Sequence, residues 1–429
     1  MSGNLPRRPV LAALGGSLLA ATTPASVSAA AGPGRSDRHG SRLAVPETPV
    51  IDGRRLSALR RRSLQGDPAL RATVAALVVQ ADAWLTQGPW TVTDKPRPAA
   101  SGDLHDYLSR APYFWASQPK TPENPQGCPY VERDGERNPE AEIGTDRVDA
   151  GNVLKSVPLL TLAWYYTNKR EYGTHAARIL RTWFVDPETR MNPNLDYAQG
   201  IPCKNDGRSI GIIDFAQYYT ANLDAMAILD TGAPGWTRGD RAGMRAWNTA
   251  YLDWLVNSAF GKQESAATNN HGTYAAMQIA GLALAVGDRD LARRTARDQG
   301  RKLIDSQIAP DGSQPRELAR TRSWHYSHYN LAAFCRLASV GRQIGVDLWS
   351  HQGPAGQSLF KAVEFVLPAA TGQTEWTHPE LDFLRYAASD IVHAAADAGH
   401  GPSKSALPLL QAPPGGDLYP IRPAAQHST

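Results

Sequence analysis

NNHGTYAAMQIAGLALAV, residues 269–286, decides the fold class. It opens on polar residues that suit a helix start and continues as a helical apolar pattern from Tyr274 to Val286. Outward from it, helical periodicity recurs over Leu70–Leu85, Val153–Thr167, Tyr172–Phe184 and Phe215–Leu229. It returns over Arg241–Asn257, Arg289–Ile308, Tyr329–Ile344 and Leu359–Pro368, while strand signals are scarce. The fold class is all-α. Amphipathic helices joined by short Gly, Asp and Pro-bearing turns describe a ladder of antiparallel hairpins, which closes into a ring or continues as a solenoid. No repeat of fixed period shows, which disfavours a consensus solenoid.

The chain has 429 residues, 42% hydrophobic and 20% charged, enough to bury a large core. Lys+Arg 45 against Asp+Glu 41 gives a formal +4, which suits a polyanionic partner but lacks the sharp basic patch of a nucleic-acid binder. Arg54, Arg55, Arg60, Arg61 and Arg62 read as a solvated face or entry segment. At the N-terminus, Arg7 and Arg8 precede the apolar run Val10 to Ala21 and the small residues Val27 to Ala31, so residues 1–31 are expected to be a signal peptide of the twin-arginine type. That run is too short for a membrane anchor, and no later segment spans a bilayer, so the expectation is a secreted protein, free of the membrane and monomeric. Residues 32–51 read as a disordered linker, 52–401 as one folded domain, and 402–429, with Pro413, Pro414, Gly415, Gly416 and Pro423, as a loosely packed extension. The three cysteines have no zinc-like spacing; Cys128 and Cys203 lie in loop-like sequence where they can pair, while Cys335 sits in a helical apolar pattern.

Two long segments interrupt the helices, Trp90–Asp149 and Arg190–Asp214. Loops this long are usually functional, and their aromatics argue for ordered structure over a cleft. From them come candidate substrate-binding residues Asp103, His105, Tyr107, Tyr113, Trp115, Arg133, Gln199 and Arg208, since a carbohydrate groove needs aromatic faces among polar hydrogen-bonding groups. Asn269 and Asn270 stand where one asparagine would cap a helix, but a cap does not explain His271; an Asn and a His at a helix N-terminus can receive a carboxylate. Arg316 to Tyr329 packs Arg, His and Tyr densely, which reads either as a basic surface over core aromatics or as a carboxylate grip beside a tyrosine.

In order along the chain, SGDLHDYLSRAPYFW (101–115), RDGERNPE (133–140), GIPCKNDGRSIGIID (200–214), NNHGTY (269–274) and ELARTRSWHYSHYNL (317–331) resemble the alginate-lyase-like (α/α)-toroid polysaccharide lyases, most nearly polysaccharide lyase family 38. The resemblance implies an (α/α) toroid, an incomplete barrel of antiparallel helix hairpins with long loops over a cleft. It also implies β-elimination on a uronic-acid polymer, alginate or glucuronan, with Asn270, His271, Arg320 and Tyr326 as catalytic residues. Arg322 is the reserve arginine and Tyr329 the competing tyrosine; Glu264 is expected to orient His271 or touch substrate, and Tyr274 to bind it.

Those residue types suit the reaction. Removing the C5 proton of a uronate spreads charge into the carboxylate, which preorganised donors neutralise. A tyrosine whose pKa is lowered by neighbouring Arg and imidazolium charge can then move the proton. Side chains alone suffice, so no metal or organic cofactor is expected, and the partner is an anionic polysaccharide. The rival readings are a glycoside hydrolase, for which Asp103, Asp106, Asp134, Asp214 and Glu264 offer carboxylates, and a non-catalytic carbohydrate-binding protein.

Overall fold

The computed structural model describes residues 43–426; the expected signal peptide and the start of the expected linker lie outside the described residues. Fifteen helices follow one another among these residues. The first seven are α1 Gly53–Leu64, α2 Pro68–Asp82, α3 Arg147–Thr167, α4 Arg170–Leu180, α5 Ile213–Leu229, α6 Arg238–Asn257 and α7 Ala259–Ser265. Then come α8 Asn270–Val286, α9 Arg289–Arg294, α10 Gly300–Gln307, α11 Pro315–Leu318, α12 Ser323–Gln343, α13 Leu359–Ala370, α14 Ser389–Asp397 and α15 Gly401–Ala406.

Packing sorts them into two layers. α3 lies against α5, α5 against α8, and α8 against α12, forming an inner row. The helices between them in sequence, α4, α6 and the α9–α10 pair, return the chain on the outside, and α13 follows α12 in the same way. This is the incomplete (α/α) toroid. Because an outer helix separates successive inner ones, the inner helices run the same way. α8 shows why such a sequence is chosen: Ala275, Ala276, Ala280 and Ala283 are buried, and a Cβ on Gly281 would come 3.0 Å from Thr220 of α5. A helix packed on several sides needs small apolar residues all round rather than one stripe. Its ends are marked by the side chain of Asn269, which accepts from the His271 N–H, and by Gly287, which takes a left-handed φ of 94°.

Both long interruptions are ordered and tied together. β1 (Leu108–Arg110) pairs parallel with β4 (Tyr197–Gly200), while β2 (Phe114–Ala116) and β3 (Tyr130–Glu132) form an antiparallel hairpin. A disulfide joins Cys128 to Cys203 and so clamps the first segment onto the second; Cys335 is buried and unpaired by disulfide.

The tails correct the expected boundaries. Thr48, Val50 and Ile51, placed in the linker, are buried, as are Tyr419, Ile421, Ala424 and Ala425 of the extension read as loose. The C-terminal halves of the inner helices would otherwise expose polar groups and apolar surface, and the tails cover them. Val50 N–H donates to Asp224 of α5 at 2.9 Å, Gln343 of α12 donates to the Ile51 carbonyl, and the Tyr166 hydroxyl of α3 donates to the Ile421 carbonyl at 2.7 Å. The arginine-rich segment is α1 itself, capped by Asp52, with Arg60 buried and donating to the Tyr165 carbonyl.

At the centre of this plug Arg336 donates to the Thr220 hydroxyl and the Ala425 carbonyl and lies 3.8 Å from Asp224. Burial pushes the Asp224 carboxyl up to about 6 against the pull of Arg336, so its charge costs stability as pH rises through that value. Arg336→Met should therefore destabilise the domain by about 3–5 kcal/mol at pH 8, and by less at pH 5, where Asp224 takes up a proton. Urea unfolding midpoints at the two pH values check this; an equal loss at both would mean that lost packing, not an unpaired carboxylate, sets the penalty.

Candidate active site

The N-terminal turns of all four inner helices open onto one cleft of about 1130 Å³. α3 contributes Arg147, Asn152 and Lys155; α5 contributes Asp214, Gln217 and Tyr218; α8 contributes Asn270 and His271; α12 contributes His325, Tyr326 and Tyr329. The loops complete it with Tyr113, Phe114, Asp134, Arg137, Gln199, Arg208, Arg320 and Arg322. Aligned helix N-termini carry partial positive charge, so this end of the toroid favours an anionic ligand before any side chain is counted.

Tyr326 stands on the first turns of α12, where its hydroxyl accepts from Arg320 Nη2 at 2.9 Å and lies 3.0 Å from the hydroxyl of Tyr113. The Arg320 guanidinium sits over the Tyr326 ring, 3.8 Å from its centroid, and is held there by an ion pair with Asp134. Burial pushes the Tyr326 phenol well above its ordinary value, and Tyr113 adds to that while Arg320 pulls the other way. This corrects the expectation that neighbouring charge lowers it: burial wins. Imidazolium charge gives no help either. Burial pushes His325 down to about 2, with His328, Arg322, Arg137 and Arg320 adding to the shift, and pushes His328 down to about 3 with Arg322. Both rings are neutral at physiological pH.

The two asparagines at the start of α8 divide the work as the cap argument suggests. Asn269 caps the helix, whereas Asn270 is buried and clamped by Glu317, which accepts from its backbone N–H at 2.8 Å and its side-chain amide at 2.7 Å. His271 Nδ1 meets the buried Glu264 at 2.6 Å; an ionised carboxylate only accepts, so the proton on that side belongs to the ring and Nε2 remains for a ligand.

Several expected substrate-binding residues do not line the cleft. Tyr107 is buried behind it and donates to Asp214, a carboxylate that also accepts from Ser109 and Gln199 and pairs with Arg147. Tyr274 is buried, stacked on Tyr329 at 4.3 Å, and donates to the Tyr329 carbonyl. Asp103 and His105 tie the two long loops together through Asn192 and the Arg190 carbonyl. Trp115 follows cleft-lining Phe114 on β2, and strand alternation turns it to the other face of the hairpin, where Arg133 covers it at 4.9 Å. Glu264 reaches the site only through His271, whereas Arg322 lines the cleft but faces Glu380 at 3.9 Å rather than Tyr326. Gln199 and Arg208 do line it: Arg208 donates to the Gln199 carbonyl and stacks on Phe114 at 5.1 Å.

Glu317, Arg147, Lys155, Asn152 and Tyr218 were missed. Glu317 stood inside a quoted motif, two turns before Tyr326 in sequence, and only the Asn270 clamp gives it a role. Arg147 and Asn152 precede Val153, where that helix pattern begins, and Lys155 is a polar position inside it, so periodicity passed over all three. The carboxylates that a hydrolase would need are engaged elsewhere: Asp134 with Arg320, Asp214 with Arg147, Glu264 with His271, and Asp103 and Asp106 with Asn192.

The family model described as Alginate lyase matches residues 91–376. The crystal structure of an alginate lyase from Bacteroides ovatus is 32% identical, with 88% of this chain and 99% of that chain covered and a TM-score of 0.81. Alginate lyase A1-III from Sphingomonas species A1, at 16% identity and a TM-score of 0.52 over 90% of this chain and 99% of that chain, shares the fold. No curated protein matches the chain.

Proposed function

The chain belongs to the alginate lyase family, and from that premise we propose that it cleaves alginate by β-elimination in the cleft at the N-terminal end of the inner helices, leaving 4,5-unsaturated uronate ends. The observation that carries the reading is the contact of Arg320 with the Tyr326 hydroxyl in the same cleft as the clamped Asn270 and His271. The Asn270 amide receives the uronate carboxylate, where charge develops as C5 loses its proton, and His271 adds an Nε2–H donor when its ring carries a proton on both nitrogens. Tyr326 takes that proton on its oxygen, the C5–H electron pair becomes the C4–C5 double bond, the C4–O4 bond breaks, and O4 leaves with the proton that Tyr326 passes on. The Arg320 contact supports its acting first on the Tyr326 oxygen, with the substrate carboxylate a further ligand. Gln199 and Arg208 offer hydrogen bonds and charge to neighbouring sugars.

Glucuronan presents the same C5 proton and carboxylate and belongs in the same test. The protein works outside the cytoplasm as a monomer: the Arg7-Arg8 pair before the apolar run Val10 to Ala21 supports export, the Cys128–Cys203 bond fits an oxidising compartment, and one chain supplies every group named above.

The test is ultraviolet absorbance over time with polymannuronate, polyguluronate, mixed alginate and glucuronan offered separately. A rise from the conjugated double bond on an alginate polymer is expected. New reducing ends without that rise, or a rise on glucuronan alone, would overturn the substrate assignment.

A further inference from the structure

The outer pair α9–α10 carries a concentration of charge that lies outside the cleft. A single π-helical turn, Thr295–Gln299, joins the two helices into one rod, and every exposed residue from Arg289 to Lys302 is charged, five positive and two negative. Part of this charge serves the fold. Arg289 and Arg293 donate to the carbonyls of Gln343 and Ile344 at the end of α12, and Arg293 pairs with Asp290 at 3.0 Å. The rest does not. Arg297 pairs with Asp298 at 2.7 Å, and Arg294 and Arg301 lie close enough to help it hold that carboxyl below the usual carboxylate range. Neither Arg294 nor Arg301 forms an ion pair of its own among the described residues, so three guanidiniums share one carboxylate. We propose that Arg294, Arg297 and Arg301 form a second, non-catalytic binding site for an anionic polysaccharide, holding one stretch of the polymer while another occupies the cleft. That the polymer is alginate rests on the reading of the cleft.

The chemistry of the face selects the partner. Arginine offers a planar fork that takes a carboxylate by two parallel hydrogen bonds, where lysine is a point charge, and arginines dominate here. The three follow one another at intervals of three and four residues, so successive guanidiniums stand roughly one helical turn, 5 Å, apart along the rod. A 1,4-linked uronan places one carboxylate on every sugar, and each sugar advances the chain by a similar length. A single-stranded nucleic acid would call for aromatic stacking platforms and a lipid surface for apolar side chains; the exposed residues from Arg289 to Lys302 include neither. The rod also points toward the cleft. Gln307, the last residue of α10, donates to the carbonyl of cleft-lining Asn269 at 2.9 Å and accepts from Thr273 of α8. Arg301 stands about 9 Å of helix before Gln307. A chain laid along the arginines therefore runs to the end of the toroid where the cleft opens.

The test is the triple variant Arg294→Gln, Arg297→Gln, Arg301→Gln, whose exposed positions should leave the fold intact by circular dichroism. On the polymer that wild type degrades, its KM should rise by about three- to tenfold with kcat within about twofold, because only binding outside the reacting sugar is lost. On a short oligouronate that fills the cleft alone, both constants should match wild type. Asp298→Asn removes the carboxylate that the three arginines share and should act in the opposite sense, lowering KM on the polymer by about twofold at low salt. An unchanged polymer KM in the triple variant, or an equal loss on polymer and oligouronate, would overturn the inference. Native electrophoresis through gels containing alginate or duplex DNA, with Tyr326→Phe added to both proteins, separates the two levels. If alginate retards the protein and the triple variant loses that retardation, the site stands even where no polymer yields unsaturated ends, and only the reading of the cleft fails. If the triple variant is retarded as before while wild type cleaves alginate, only this inference fails. Retardation by DNA as strong as by alginate would overturn the assigned partner.

Discussion

Turnover by Tyr326→Phe should fall by about 10²–10⁴-fold on the polymer that wild type degrades, the range expected when a positioned proton-transfer group is lost. The variant keeps the ring that contacts His325 and lies under Arg320 and gives up only the hydroxyl, which touches Arg320 and Tyr113. Arg320 remains tied to Asp134, so the removed contacts should cost no more than about 1–2 kcal/mol of stability. Burial holds the phenol protonated, and wild-type activity should accordingly rise with pH until the phenolate forms. A folded Tyr326→Phe protein with turnover within a few-fold of wild type would remove Tyr326 from the chemistry.

Why this tyrosine was legible in the sequence while several others were misplaced follows from where the cleft lies. Hydrophobic periodicity begins each inner helix late. α3 starts at Arg147 rather than Val153, α8 at Asn270 rather than Tyr274, and α12 at Ser323 rather than Tyr329. The first turns are polar because they face the cleft, so the residues that apolar spacing overlooks are the ones that build the site. Motif chemistry recovered part of that loss, since Asn270-His271 and Arg320 to Tyr326 carry side chains that a plain helix surface does not need. In the loops no such signal exists. Tyr107 and Tyr113 sit in one aromatic-rich run, yet one is buried on Asp214 and the other reaches Tyr326, a difference set by the turn between β1 and β2 and the pairing of β1 with β4. The tails were misread for a related reason: Pro and Gly content describes irregular backbone, and irregular backbone that donates to Asp224 and covers helix ends is as fixed as a helix.

Asn270→Ala should lower kcat by about 10²–10³-fold and leave KM within a few-fold, and that split follows from how the amide is held. Glu317 accepts from both the backbone and side-chain N–H groups of Asn270, so the amide is fixed before substrate arrives and spends nothing on reorganisation as the reaction proceeds. Its remaining N–H can therefore favour the carboxylate most when C5 has lost its proton and the group carries the added charge of the enolate. A donor that acts equally on substrate and transition state would raise KM and spare kcat. Glu317 is itself buried, and burial pushes its carboxyl up against the two Asn270 hydrogen bonds, so a loosened Asn270 would also leave a carboxyl less well paired at the start of α8. Circular dichroism on Asn270→Ala guards against that, and steady-state kinetics on the native polymer decide. A rise in KM with kcat unchanged would make Asn270 a binding residue for the resting carboxylate and shift the neutralisation of the enolate onto His271, whose Nε2 faces the ligand and donates when the ring carries both protons.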